Sequence, residues 1–203
     1  MTHLSIKIPV GIVLILSAMS GLLPAAEAEP LRAEEPVLLT SCGQSPGPVM
    51  LKVVLQRIGV DFEMETTAST AELAAGHQGQ TPYKTLIIVM GASLKGMGAA
   101  GISMDDELKR TAALIAEARS RGIRVIGAHI EGMKRRSQGA AAGDTSDEQS
   151  IDAVAPNSDI LLINVEGNAD GRFSSIAAAG NIPMIEVEKN MDLMTELKTL
   201  FGK

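Results

Sequence analysis

The sequence is poor in aromatic residues and in cysteine. Of its 203 residues none is Trp, one is Tyr, three are Phe and a single one, Cys42, is a cysteine. A lone cysteine excludes a disulfide within the chain, so the burial of aliphatic side chains must hold the fold together. The scarcity of aromatic rings leaves few residues on which a flavin, a base or a sugar could stack.

Positive charge is not in excess. The chain carries 18 Lys and Arg against 24 Asp and Glu, a formal net charge of −6. Binding to nucleic acid depends on clustered Lys and Arg that neutralise phosphates. The composition therefore argues against a nucleic-acid partner.

Long apolar runs are missing beyond the N-terminus. Lys7 precedes an apolar run over residues 8–18, and Ala26-Glu27-Ala28 fits the small-residue cleavage site of a secretory signal. No later segment approaches the roughly 20 apolar residues that a transmembrane helix needs. We predict a secretory signal peptide over residues 1–28, a short linker over 29–35 and a single α/β domain over 36–203. The protein would then be exported, periplasmic or extracellular, with no transmembrane anchor after cleavage.

Short apolar runs alternate with amphipathic segments along the rest of the chain. Most of the runs are continuous rather than alternating, which is typical of parallel strands covered on both faces. Strand and helix alternation predicts a three-layer α/β/α sandwich with a mostly parallel sheet of five or six strands, flavodoxin-like or Rossmann-like. Because acids interrupt the second run, we place it at an edge, in the order 2-1-3-4-5 with a sixth strand at the far edge. The predicted strands are residues 36–40, 61–65, 85–91, 124–129, 159–164 and 184–188.

The stretch SCGQSPGP, residues 41–48, follows the first strand. It contains the G-x-S-x-G of a hydrolase nucleophile elbow, but Pro46 stands where a backbone N–H should help to bind the oxyanion. An anion-binding turn fits better, with Ser45 capping the next helix and Gly43 and Gln44 beside its free N–H groups. An ordinary capped helix start explains the same residues.

A second glycine-rich stretch, GMGAAG, spans residues 96–101. It has the spacing of a dinucleotide motif, but the acids at residues 105–107 open the following helix and would repel a pyrophosphate. We predict that residues 92–102 form a long flexible loop that presents Ser93 and Lys95 to a ligand. A solvated hinge is the alternative.

The third stretch, HIEGMKRR, covers residues 129–136. His129 and Glu131 alternate at a strand end and could move protons as an acid-base pair, although two ligands are too few for a metal site. Arg135 and Arg136 lie in a second long loop, residues 131–144, which could close as a lid over an anionic ligand. A solvated basic patch is the alternative.

These three stretches, with APNSD at residues 155–159 and EGNADGRF at 166–173, resemble an uncharacterised family known by a domain-of-unknown-function label. The family comprises exported bacterial and archaeal proteins, and the resemblance runs from about residue 35 to residue 201. It implies a single exported domain and no particular activity.

Ligands of open α/β sheets bind beyond the carboxyl ends of the strands, at the point where the strand order reverses. We therefore expect a small anionic or polar ligand at that edge, with no cofactor identified by the sequence. The residues expected to contact it are Gly43, Gln44, Ser45, Ser93, Lys95, Arg135 and Arg136, with Asn164, Glu166 and Asn168 on the same edge.

Two other functions stay open on the sequence alone. One is a hydrolase or transferase that uses His129 or Glu131 as its acid-base group. The other is a non-catalytic module that binds a protein partner, for which an exposed apolar patch would be the sign.

Overall fold

Six parallel strands form one sheet in the order β2-β1-β3-β4-β5-β6 over the residues that the structure describes. The structure is a computed structural model that describes residues 31–137 and 143–203. The predicted signal peptide and the centre of the predicted lid, residues 138–142, lie outside them. The strands are β1 Val37–Cys42, β2 Phe62–Met64, β3 Thr85–Met90, β4 Arg124–His129, β5 Ile160–Asn164 and β6 Met184–Val187.

Seven α-helices connect and follow these strands in the described part of the chain. Two of them, α1 Gly47–Ile58 and α7 Asn190–Phe201, cover one face of the sheet. The opposite face is covered by α2, α4, α5 and α6, and α3 lies in the connection between β3 and β4. Their bounds are α2 Thr70–Ala75, α3 Leu94–Ala100, α4 Met104–Ser120, α5 Ser146–Val154 and α6 Arg172–Gly180. The predicted three-layer sandwich and its strand order are confirmed.

The hydrophobic core is aliphatic on both faces, as the composition requires. Under α1 and α7, Leu51, Leu55 and Leu197 are fully buried against β1, β3 and β4. On the other face, Leu114 and Phe173 fill the same role. Each such side chain contributes about 1.5–3 kcal/mol when it leaves water, which replaces the cross-links that the chain lacks.

Strand β2 lies at the edge of the sheet, as predicted. Its three residues are only partly buried, and it pairs with β1 alone. Charged residues within and beside it, Asp61, Glu63 and Glu65, explain this position, because their carboxylates remain in water more easily at an edge than between two helical layers.

Residues 92–102 are not the long loop that we predicted. Helix α3 occupies most of this segment, and Ser93 is its N-cap. Gly96 is required because a Cβ there would overlap the carbonyl oxygen of Gln44, and Gly101 ends the helix in the left-handed conformation. The glycine spacing that resembled a phosphate loop therefore serves close packing and helix termination.

Candidate functional site

The turn after β1 abuts the turn after β3 at the carboxyl edge of the sheet. A Cβ on Gly43, whose φ is 103°, would lie 2.5 Å from the carbonyl oxygen of Gly91. The side-chain amide of Gln44 donates hydrogen bonds to Glu107 Oε1 at 2.5 Å and to the Thr66 carbonyl at 2.8 Å. Both residues lie at the predicted edge, but the Gln44 amide is engaged by the protein itself.

A buried ion pair between Glu107 and Arg110 supports the turn after β1. Glu107 has no exposed surface, and Arg110 Nη2 lies 2.5 Å from Glu107 Oε2. The Arg110 guanidinium also donates to the carbonyl of Ser41 at 2.5 Å and to that of Ala68 at 2.9 Å. The helical pattern of α4 places Arg110 among solvated residues, so the sequence did not predict this pair. Its one signal was the three-residue spacing of opposite charges.

The N-terminus of α1 already holds an anion, and that anion is Glu131. The backbone N–H of Gly47 donates to Glu131 Oε2 at 3.1 Å and to the Ser45 hydroxyl at 3.3 Å. Glu131 Oε1 accepts a hydrogen bond from Arg135 Nε at 3.2 Å, and Arg135 Nη1 donates to the Ala92 carbonyl at 2.9 Å. A carboxylate of this chain therefore lies at the start of α1, where the sequence suggested a bound anion, and the N-cap of the helix is Pro46 rather than Ser45.

His129 is enclosed rather than presented to a cleft. The side chain has no exposed surface, and its ring lies 5.1 Å from that of Phe173. His129 Nε2 lies 3.1 Å from the carbonyl oxygen of Arg135, and because a carbonyl can only accept, Nε2 is the donor. Burial lowers the pKa of His129 below its usual range. This geometry gives His129 no access to a bound substrate.

Arg136 is also internal, which corrects its predicted place on a lid surface. Its side chain is 2% exposed and lies 2.7 Å from Glu148 Oε1 and 2.5 Å from Asp170 Oδ2. Arg172 binds the second oxygen of Glu148 and also contacts Asp152. Two arginines and three acids therefore tie the segment after β4 to α5 and α6.

Ser93 is the N-cap of α3, and Lys95 lies in the first turn of that helix. The Ser93 hydroxyl accepts a hydrogen bond from the Gly96 N–H at 3.1 Å, while Lys95 is exposed. Asp147 accepts a hydrogen bond from the Ala92 N–H at 2.7 Å, and burial raises the pKa of Asp147. Ser45 and Arg135 lie together beside Gly91, where an added Cβ would meet Arg135 Cβ at 3.2 Å and Ser45 Oγ at 3.3 Å. Lys95 lies apart from them on α3.

Cys42 is an inert core residue. It is fully buried at the end of β1, and this burial raises the pKa of its thiol from 9.0 to about 12. A thiolate, the reactive form, is thus disfavoured at neutral pH.

A polar cleft of about 680 Å³ opens at the carboxyl edge of the sheet, where α1 and α7 begin beside the ends of β4 and β5. Gly132 is closely packed against two other residues of the lining. A Cβ on Gly132 would come within 2.9 Å of Asn164 Oδ1 and 3.1 Å of Glu166 Oε2. The lining residues are Pro46, Met50, Ile130, Glu131, Gly132, Lys134, Arg135, Asn164, Glu166, Glu188 and Lys189.

Opposite charges are balanced in this cleft. Glu131 and Arg135 neutralise each other, while Lys134 and Lys189 are exposed and form no ion pair within the described residues. Glu166 and Glu188 are exposed acids on the same lining. The sequence predicted Glu166 at this edge but not Glu188 and Lys189, although both of these follow the sixth strand.

Two features are absent from the described residues. Within them, no group of three or more His, Cys, Asp and Glu is placed to hold a metal ion. No helix among them has the length and apolar character needed to cross a membrane.

Several solved structures are weakly similar to this chain. An aminotransferase from Mycobacterium tuberculosis is 12% identical, with a TM-score of 0.34 over 63% of this chain and 29% of its own length. A GDSL-like lipase from Bacteroides thetaiotaomicron VPI-5482 is 14% identical, with a TM-score of 0.33 over 76% of this chain and 71% of its own. An acetyl xylan esterase is 10% identical, with a TM-score of 0.36 over 79% and 82%. Likenesses this weak carry nothing about chemistry.

Curated proteins give no match to the chain. A family model does, and it extends over residues 34–201, nearly all of the region described above. The resemblance drawn from the sequence motifs is thereby confirmed, and the chain belongs to the family described as a domain of unknown function, DUF6305.

Proposed function

We propose that this protein binds a small polar solute with one negative charge in the cleft at the carboxyl edge of the sheet. The observation that carries the proposal is the pair Lys134 and Lys189, two exposed ammonium groups on one polar cleft with no ion-pair partner among the described residues. A carboxylate or similar anion would accept charge-assisted hydrogen bonds from both.

The acids of the cleft restrict the charge of the solute. Glu166 and Glu188 would repel a second negative charge, and their oxygens can accept hydrogen bonds from hydroxyl groups of a ligand. A monoanion with hydrogen-bond donors fits this lining better than sulfate or a phosphate dianion.

Binding is favoured over catalysis by the positions of the acid-base candidates. His129 is buried and donates to a backbone carbonyl, and Glu131 accepts from Gly47 and Arg135. A general base must reach the proton that it removes. Neither group is free to do so without breaking contacts that hold the edge of the sheet.

We also propose that the protein works outside the cytoplasm. The charged start, apolar run and A-x-A site of residues 1–28 support this. A fusion of these residues to a periplasmic reporter tests export independently of ligand binding.

Thermal unfolding of the purified protein tests the binding proposal. The panel comprises small monocarboxylates, hydroxy acids, sulfate, phosphate and neutral sugars at matched ionic strength. A monoanion at about 100 times its dissociation constant stabilises the protein by about 2.7 kcal/mol, which raises Tm by several degrees.

Matched lysine variants place the ligand. Lys134→Ala and Lys189→Ala should each reduce the shift in Tm, because each removes one cationic donor from the cleft. Lys109→Ala is the control, since Lys109 is also exposed but lies on α4, on the other face of the sheet. A shift that survives both cleft variants, or that Lys109→Ala also removes, would contradict the proposed site.

A further inference from the structure

An apolar groove lies beside the polar cleft, between α1 and α7. Its volume is about 330 Å³, roughly half that of the cleft. The lining residues are Met50, Val53, Val54, Arg57, Met191, Leu193 and Met194. Met50 lines both the groove and the cleft, so the two spaces share a wall.

Two of the five large exposed apolar side chains of the described residues, Val53 and Met191, line this groove. Of the five large ones, Val49 is 54% exposed, Val53 44% and Met191 76%, and all three lie on α1 or on the first turn of α7. Met133, 37% exposed, lies in the turn that borders the cleft. Single exposed apolar residues are ordinary, whereas a group of them beside a cleft marks a binding surface.

The charged residues of the cleft lie next to the apolar residues of the groove. Lys189 lines the cleft and Met191, two residues later, lines the groove. Methionine side chains, flexible and polarisable, adapt to apolar ligands of varied shape. A molecule held at Lys189 by a charged end would therefore lay its next atoms along Met50 and Met191.

The length of the groove sets the length of that molecule. From Met50 to Arg57 helix α1 advances by seven residues, about 10 Å at about 1.5 Å per residue. Because carbon–carbon bonds of about 1.5 Å meet at roughly tetrahedral angles, an extended alkyl chain advances by about 1.3 Å per bond, and about eight bonds cover this distance.

We infer that the solute is an amphiphile, with one anionic head group in the polar cleft and one unbranched apolar chain of about eight carbons in the groove. The inference rests on the proposed function and names the chemical class of its ligand. The charged cleft selects the head, and the Met and Val side chains of the groove select the chain.

Calorimetric titration with straight-chain carboxylates of two to ten carbons tests the inference on the purified protein. We expect the dissociation constant to fall about fourfold for each added methylene up to about eight carbons and then to level off. Each buried methylene contributes about 0.8 kcal/mol, and about 1.4 kcal/mol corresponds to a tenfold change. Octanol, which has the chain but no charge, should bind at least tenfold more weakly than octanoate.

Variants distinguish the binding of the charged head group from the binding of the alkyl chain. Met191→Gln should flatten the dependence on chain length and leave the affinity for acetate, which has no methylene to lay in the groove, unchanged. Lys189→Ala should weaken every carboxylate by a similar factor. Leu94→Gln is the control for Met191→Gln, because Leu94 is 79% exposed on α3 and lies outside the groove.

The outcomes distinguish this inference from the proposed function. Equal affinities across the series would overturn the amphiphile and leave monoanion binding intact. Failure of every carboxylate to bind would overturn both. Octanol binding as tightly as octanoate would overturn the joint use of cleft and groove. Sedimentation at the same concentrations should show a monomer; a dimer abolished by Met191→Gln would assign the groove to a second copy and overturn the inference.

Discussion

The role of Glu131 in the structure differs from the role that the sequence suggested. Alternation with His129 suggested an acid-base pair, yet the Glu131 carboxylate accepts from the Gly47 N–H and the Arg135 guanidinium. It is a built-in anion at the start of α1, where the helix dipole favours negative charge. The turn was recognisable from the sequence, but its occupant was not, because the contact joins residues 84 positions apart.

Replacing Glu131 tests this role. Glu131→Ala leaves a buried N–H and a largely buried guanidinium without their partner, so we expect the free energy of unfolding to fall by about 2–3 kcal/mol. Glu131→Gln keeps an acceptor for Gly47 and should cost about 1 kcal/mol. Urea denaturation measures both values.

The control for these variants is Glu34→Ala. Glu34 is exposed, and its side chain makes no ion pair within the described residues, so its removal should change stability by less than about 0.5 kcal/mol. Glu131→Ala with the stability of Glu34→Ala would contradict the assignment of Glu131 as the anion of this helix.

At the scale of the element, helix α3 is the clearest departure from expectation. Two of its seven residues are glycines and a third glycine, Gly101, follows as the C-cap, although glycine disfavours helices. Tertiary packing overrides that propensity, since Gly96 lies against the backbone of Gln44 and Gly101 adopts the left-handed C-cap. No local pattern distinguishes a glycine needed for close approach from one in a loop.

Two glycines of α3 allow a matched test. A Cβ at Gly96 would overlap the Gln44 carbonyl, so Gly96→Ala should destabilise the protein by about 1–3 kcal/mol. Gly98 has no neighbouring atom within 4 Å of the same position, so Gly98→Ala should stabilise it by about 0.5–1 kcal/mol through helix propensity. Chemical denaturation of the two variants should give opposite signs, and equal effects would show that the packing of Gly96 is not what fixes α3.

The loop after β4 illustrates a second limit at this scale. Adjacent arginines were interpreted as a lid, but Arg135 borders the cleft while Arg136 is buried with Glu148 and Asp170. Neighbouring residues in irregular backbone point in directions that no period fixes. Burial of a charge also depends on partners from other elements, here α5 and the turn before α6.

For the whole molecule, the sheet was predictable because its pattern is repeated and global. Continuous apolar runs gave the strands to within two residues at each end, and the acids of β2 gave the edge from which the order follows. The same topology predicted a ligand at the carboxyl edge of the sheet, where the strand order reverses between β1 and β3. The cleft opens at that edge but beside β4, β5 and the starts of α1 and α7, because its position depends on how side chains fill the rest of the edge.

The dependence of stability on pH also belongs to the whole molecule. Burial has the largest effect on the pKa of His129 and lowers it. The charge of Arg136 also lowers this pKa, whereas the Arg135 carbonyl, Glu131 and Asp147 raise it by less than burial lowers it. In the unfolded chain the same imidazole has a pKa of about 6.5. As the pH falls below that value, the unfolded state takes up a proton that the folded state does not, so stability is lost on acidification.

We therefore expect the free energy of unfolding to fall by up to about 1.4 kcal/mol per pH unit below pH ~6.5, before most carboxylates titrate. The carboxyls of Asp170, whose pKa is lowered by Arg136, and of Glu63, whose pKa is lowered by the Tyr83 hydroxyl, add a second loss at more acidic pH. His129→Gln can still donate to the Arg135 carbonyl but cannot titrate, so its stability should be flatter between pH 7.5 and 5.5. His77→Gln leaves His129 in place and should keep the His129 decrease. Urea denaturation across this range measures both slopes, and a His129→Gln slope as steep as that of the unaltered protein would show that the buried imidazole is not its source.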